Sequence, residues 1–502
     1  MFNYLTIGTQ VKKSQESGSH ALSIVIFNNT SLCRIHHISS CLLLLILLFT
    51  FCAFPSPSLF LLHTMVLIKR HGLLPSTADK KAIKPYTMAF PKAELTRMNT
   101  LVELSHIATP NYENTGADKS QEFGVTRDWL VAAKERWQNG FIWEEREKLV
   151  NSFPNFKTAI PAPNEDGSPS DVSIDIHFMA LFSKKKDAVA VLFNHGWPGS
   201  FFEFLPLFKL LREKYPDEDS LPYHIIVPSL PGYGLSDAPP MHRNFTVTDA
   251  SYMLDHLMSK TLGFKTYISQ GGDVGSFISR YNGYNSPNCK GVLINFSPVP
   301  MPEGATLDDI DEEDKIAMKR YEWFVTGAVS YMGMHATRPS TVGLAIATSP
   351  IAVLAWIGEK FLDWTDPASF PPNSHIVNQE SNNSTASPYS IELMDEAIAG
   401  AALYFLTGCI GTSLYCYRQF FPQGRDAATS VQKKLYIAKP KLFGYSFFPW
   451  EVMGSPKEWI AGSGDMVFFK RHPKGGHFAQ MEQPEAIWED VVEFLQLLPA
   501  DS

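Results

Sequence analysis

Four short, uninterrupted apolar runs, each closed by a turn bearing glycine or proline, constrain this chain more than any other feature. They are AVAVLFN at 188–194, HIIVP at 224–228, TYISQ at 266–270 and GVLIN at 291–295. A strand that is apolar on both faces has no side to offer to water. It belongs in a parallel sheet covered on both faces. Between the runs, FFEFLPLFKLLREKY (201–215) and DASYMLDHLMSKTLG (249–263) have helical apolar spacing. Alternating strand and helix predicts an α/β fold with crossover connections. From about 299 to 430 the alternation stops. An acidic stretch, DDIDEEDK, is followed by the apolar, helical GLAIATSPIAVLAWIGEKFLDW and then by a loop rich in Pro, Asn and Ser. Strands KLFGYSFF (441–448) and MVFFK (466–470) then resume the alternation before a closing helix. A helical insertion inside a parallel core has the layout of a lid over a site. The chain therefore divides into an N-terminal extension (1–64), an N-terminal segment (65–187), two core halves (188–298 and 431–502) and a lid (299–430). The N-terminal segment carries helical spacing at 89–104 and 127–138, where Trp137 is expected to bury, as is Trp143 just beyond.

With 502 residues, 45% hydrophobic and 19% charged, the chain can bury a large core, which excludes a mainly disordered protein. A net charge of −8 without a basic stripe argues against nucleic acid as a partner. Six cysteines without a CxxC pair read as reduced thiols, not as a zinc site or a disulfide framework. The 13% of aromatic residues suits either an apolar ligand pocket or a large aromatic core.

The run CLLLLILLFTFCAF at 41–54 is short for a bilayer span, which needs about 20 residues. Prolines at 55 and 57 interrupt it before LFLLHTMVLI. Three readings stand for residues 41–62. They are a membrane anchor or uncleaved signal, a stretch upstream of a true start at Met65 or later, or an ordinary buried segment. Localisation follows: membrane-associated if the stretch is translated and retained, cytoplasmic otherwise.

Three motifs carry the chemistry. The first is Gly271-Gly272-Asp273-Val274-Gly275-Ser276, between strand TYISQ and a helix-like stretch. A nucleophile on a sharp strand-to-helix turn needs small neighbours, because the backbone there is strained and closely packed. Gly271 and Gly275 occupy the flanking offsets, with Asp273 at the centre. The second is His195-Gly196-Trp197-Pro198-Gly199-Ser200, directly after strand AVAVLFN. Such a turn can aim backbone N–H groups at a developing oxyanion, and Trp197 and Val274 are the candidate donors. The third is Gly475-Gly476-His477-Phe478 near the C-terminus. Its His477 completes the chain order nucleophile, acid, histidine of the α/β-hydrolase fold. A histidine base needs a carboxylate to orient it. Sites in parallel sheets lie beyond the C-terminal strand ends. Glu451 follows its strand and sits at that end, whereas Asp465 precedes its strand and reads as a turn residue.

An aspartate suits displacement at saturated carbon, giving an alkyl ester that a His477-activated water hydrolyses. An epoxide leaving group needs an acid donor across the substrate, which lid phenols supply. Tyr321, Tyr331, Tyr389, Tyr404, Tyr415 and Tyr417 are all candidates, and spacing does not choose among them. A haloalkane dehalogenase on the same scaffold and a non-catalytic ligand-binding member are the alternatives.

In combination, HGWPGSFFEF, GGDVGS, HATRPSTVG, SPIAVLAWIGEKF, SFFPWE and GGHF resemble the microsomal-type epoxide hydrolases, most closely their fungal soluble members, from about Ala89 to the C-terminus. The resemblance implies Asp273 as nucleophile, Glu451 as acid and His477 as base. Through SYMGMHATRPS and SLYCYRQF it implies Tyr331 and Tyr417, not neighbouring Tyr415, as ring-opening phenols. It implies an N-terminal segment wrapping the core, a small apolar epoxide as substrate, and neither metal nor organic cofactor. It also allows a lid-mediated homodimer, and it leaves detoxification, lipid epoxide turnover and a step in secondary metabolism all open as roles. The chain departs from the pattern twice. Residues 1–64 have no counterpart in soluble members, and the acid is Glu where many fungal members have Asp.

Overall fold

All of these apolar runs are strands in the computed structural model, which describes residues 71–499 apart from 117–122, 165–166, 300, 305, 373–388, 422–423, 425 and 427–434. The extension with residues 41–62, Met65, residues 373–385 of the lid loop, and Cys33, Cys41 and Cys52 lie outside the described residues. Six parallel strands form the core: β4 (Ala190–Asn194), β5 (His224–Pro228), β6 (Tyr267–Gly271), β7 (Cys289–Ile294), β8 (Leu442–Phe447) and β9 (Met466–Arg471). Every residue of β4, β5, β6 and β8 is buried, as continuous apolar runs require.

The N-terminal segment contributes three more strands that the sequence reading did not separate: β1 (Lys84–Pro85), β2 (Asn155–Pro163) and β3 (Pro169–Leu181). They extend the sheet antiparallel from β5, giving the order β1-β2-β3-β5-β4-β6-β7-β8-β9. The cue is in the chain: Ser173-Ile174-Asp175-Ile176-His177-Phe178 alternates polar with apolar. After β4 the chain turns to β5 on one side and then crosses to β6 on the other. The crevice between the C-terminal ends of β4 and β6 is therefore the switch point where a parallel sheet places its ligand.

The lid covers this crevice. Helix Pro350–Trp364 starts where the Ser349 hydroxyl accepts the Ile351 N–H and Pro350 takes the first helical position. Helices of the N-terminal segment hold the lid from outside. The Trp129 ring fills the space that a Cβ on lid residue Gly358 would occupy, 2.6 Å from its nearest atom. Arg136 and Arg146 pair with Asp395 and Glu396 of helix Ile391–Thr407, each at 2.7 Å. These pairs are partly exposed, so burial of Trp129 against the lid contributes more than the charges. Cys289, Cys409 and Cys416 are buried free thiols. Among the described residues no single helix is long and apolar enough to cross a membrane.

Candidate active site

Asp273 lies one residue beyond β6, after Gly272, and opens helix Asp273–Asn285. Its φ is +46°, in the left-handed region that a non-glycine residue enters at a cost of about 1–3 kcal/mol. Packing on both sides holds it there. A Cβ on Gly271 would lie 2.4 Å from the Gly275 carbonyl, and one on Gly275 would lie 2.1 Å from the Asn194 oxygen. Only glycine at both positions lets the helix start press onto the end of β4. The contact brings the turn after β4 against the carboxylate. The Trp197 N–H donates to Asp273 Oδ1 at 2.7 Å, and a Cβ on Gly196 would sit 2.2 Å from that oxygen. The buried Val274 lies in the first helical turn, where N–H groups have no partner within the helix. The same helix end favours a negative charge at Asp273.

Oδ2 faces His477, whose Nε2 lies 3.5 Å away. On its other side, His477 Nδ1 bonds Glu451 Oε1 at 2.6 Å, and the Val452 N–H donates to the same oxygen. Glu451 and His477 are 1% and 4% exposed, so this pair is shielded from solvent. Burial disfavours the imidazolium, but the carboxylates of Glu451 and Asp273 outweigh it and raise His477 to about 10. The His477 N–H donates to the Trp364 carbonyl, and its ring meets those of Trp364 and Phe296 edge-on. Asp465 is a partly buried residue directly before β9 that accepts from Tyr436 and the Lys439 N–H, away from the histidine.

The structure separates the six lid tyrosines. Tyr331 stacks on Trp197 at 5.2 Å, Tyr417 meets Trp197 edge-on at 5.7 Å, and the two phenol rings lie 5.8 Å apart. Burial, with the Asp273 charge adding to it, holds both phenols well above their usual range. They stay protonated and able to donate. Tyr415 packs instead against Tyr233 and Phe245. Tyr404 donates to the Gly199 carbonyl at 2.9 Å. Tyr321 and Tyr389 are only partly buried.

Two family models match the chain: "Epoxide hydrolase N terminus" over residues 83–204 and "alpha/beta hydrolase fold" over residues 189–331. The structure of Aspergillus niger epoxide hydrolase superposes with a TM-score of 0.72 at 38% identity, covering 85% of this chain and 99% of that one. The chain belongs to the epoxide hydrolase family. Its fold is the α/β-hydrolase fold and its activity is the hydrolysis of an epoxide. "Epoxide hydrolase 1" of Sus scrofa is 28% identical over 448 residues, spanning 85% of this chain and 91% of that protein. The juvenile hormone epoxide hydrolase of the silkworm Bombyx mori gives a TM-score of 0.65 at 25% identity, covering 86% and 99%.

In an epoxide hydrolase the environment of the phenols matters, and the sequence reading missed part of it. The Lys360 Nζ lies 4.4 Å from the centre of the Tyr331 ring and pairs with Glu359. His335 is fully buried among Trp197, Tyr331 and Tyr417, and its Nε2 accepts from Trp356 at 3.0 Å. Burial lowers His335 to about 3, so it is neutral. Glu203 and Gln480 line one small cavity together with Asp273 and His477. Single polar residues within apolar helices give no sequence signal that separates them from solvated ones. A wider groove beside helix Lys92–Leu104 shares no residue with this site.

Proposed function

We propose that Asp273 is the nucleophile of this epoxide hydrolase, His477 the base, Glu451 its partner, and Tyr331 with Tyr417 the ring-opening donors. The observation that carries the reading is the divided carboxylate. Oδ1 is engaged by the Trp197 N–H, while Oδ2 faces His477 at 3.5 Å, and the carboxylate is near enough to Tyr331 and Tyr417 for its charge to help hold both phenols protonated. Oδ2 attacks an epoxide carbon and forms the ester bond as the carbon–oxygen bond of the ring breaks. The phenols donate to the departing oxygen.

The charges then close the cycle. In the resting site His477 carries a proton, held there by two carboxylates. Esterification removes the Asp273 charge, so the imidazolium loses one of its supports and gives up its proton. That loss balances the proton gained by the opened ring. The neutral imidazole then takes a proton from water as the water oxygen attacks Cγ of Asp273. The oxyanion forms at Oδ1, against the Trp197 N–H with the Val274 N–H beside it. Breaking the Cγ–Oδ2 bond expels the alkoxide oxygen, which takes the proton remaining on the former water oxygen; the vicinal diol is released, Asp273 is restored as a carboxylate and His477 stays an imidazolium.

The substrate we propose is a small apolar epoxide. The rings of Trp197, Tyr331, Tyr417, Trp364 and Phe324 pack about the phenols and supply an apolar wall with few polar groups. The test is intact-mass analysis of His477→Gln mixed with aryl and alkyl epoxides. A mass gain equal to the whole epoxide, lost when Asp273→Asn is added, is the expected result. No gain with epoxides that the unmodified enzyme turns over rejects the assignment.

A further inference from the structure

A water that attacks the Asp273 ester has two hydrogens to place. One goes to His477 Nε2, which is buried and has no hydrogen-bond partner of its own. The other needs a second acceptor. The small cavity between Asp273 and His477 has room for about one water molecule. Of the acidic side chains on its wall, one is left over by the mechanism above: Glu203. Its residue is 8% exposed, in the helical turn Phe201–Phe204.

The way Glu203 is held argues for a placed group. Its Oε1 accepts the Ser200 N–H at 3.1 Å while the Ser200 hydroxyl caps the same turn. A Cβ on Gly199 would fall 1.4 Å from that Oε1, so glycine is what lets the carboxylate lie flat on the turn. The Gly199 carbonyl is fixed from the other side by the Tyr404 hydroxyl. Across the cavity, Gln480 is anchored by its amide N–H groups to Gln270 Oε1 at 3.3 Å and Asn295 Oδ1 at 3.2 Å. Burial pushes Glu203 up to about 8; the His477 charge opposes the shift and the Asp273 charge adds to it, so the group senses both partners of the reaction. With Oε1 taken by the Ser200 N–H, Oε2 is the oxygen left for the water, and it accepts once the group is ionised.

We propose that Glu203 is a positioning residue for the hydrolytic water, accepting one hydrogen while His477 takes the other, so that the water's lone pair faces Cγ of Asp273. This inference rests on the ester mechanism above and adds a residue to its second half. The water's oxygen stays in the Asp273 carboxylate, its abstracted proton goes to His477, and Glu203 gains and loses nothing over the cycle.

The test is Glu203→Gln, with the two half-reactions measured separately under single turnover at about pH 9, where Glu203 is ionised. Glutamine keeps an oxygen for the Ser200 N–H and turns an N–H2 donor toward the water. Ester hydrolysis is expected to slow about 10- to 100-fold, the range of one lost positioning contact. Ester formation is expected to change less than about threefold, so the alkyl-enzyme accumulates at steady state. Glu203→Asp, which restores an acceptor, should recover part of the hydrolysis rate. A purely structural role would lower both steps together, and that result overturns the inference, as does unchanged hydrolysis. His477→Gln is run beside it. If that variant traps the adduct and Glu203→Gln does not, the inference about Glu203 alone fails. If neither traps it, the ester mechanism fails with it.

Discussion

Replacing Glu451 with glutamine isolates what one buried carboxylate does for the proposed base. The carboxylate bonds His477 Nδ1 at 2.6 Å, and both groups are shielded from solvent. A hydrogen bond to a charged partner contributes about 1.5–3 kcal/mol. At about 1.4 kcal/mol per pKa unit, losing the charge of that partner lowers His477 by about 1–2 units from the raised value near 10. Glutamine is nearly isosteric, and its oxygen can keep the bonds from the Val452 N–H and from Nδ1–H, so the tautomer survives. The same energy supports the imidazolium that forms as water attacks. Hydrolysis of the alkyl-enzyme should therefore slow about 10- to 150-fold. Its acid limb should move down by about 1–2 pH units. Ester formation needs no base, and His477 stays protonated at neutral pH, so that step should change little. Stopped-flow tryptophan fluorescence follows ester formation, since Trp197 and Trp364 border the site. Rapid quench with mass analysis follows ester loss. If ester formation fell as far as hydrolysis, or if the acid limb stayed in place, the assignment of Glu451 as the partner of His477 would be refuted.

Two further outcomes follow from the same geometry. Tyr331→Phe or Tyr417→Phe alone should slow ester formation about 10-fold or more, because one phenol remains, while the double variant should lose about 10²–10⁴, the usual scale of general acid catalysis; a double variant with intact epoxide turnover rejects both phenols as donors. Stability should also depend on His477. Its folded-state value lies above the unfolded 6.5, so its contribution is fully present below about pH 6.5 and is lost as pH rises toward about 10. Thermal melts of the parent chain should fall across that window more steeply than those of His477→Gln, and parallel pH profiles would contradict the raised value.

The site was legible in the chain where its chemistry is local. A carboxylate on a strained turn demands glycine at set offsets, so Gly271, Asp273 and Gly275 announce themselves within five residues. The turn after β4 is similar, because Gly196 must leave room for the Asp273 oxygen. Glu451 and Asp465 could be told apart because a parallel strand has a chemically distinct end. Tyr415 and Tyr417 could be separated only by resemblance, since residues two apart in a tight turn point to opposite sides and only packing says which side holds the site. Glu203 was hidden for another reason. Serine followed three residues later by glutamate is the pattern of an ordinary helix cap, and the cap is present. That the carboxylate also lines a cavity with Asp273 and His477 depends on the residues facing it from the turn after β6 and from the His477 loop.

The sequence by itself determined the parallel α/β core, the lid inserted in it and the three turns that carry Asp273, Trp197 and His477. Each of these is written in periodicity or in steric demands between near neighbours. The tertiary structure alone decided that the N-terminal segment joins the sheet through β2 and β3, that Lys360 and His335 surround the phenols, and that two carboxylates converge on one imidazole. Those facts depend on contacts between residues far apart in the chain, where burial and Coulomb interaction are set by three-dimensional distance, which spacing along the chain does not encode.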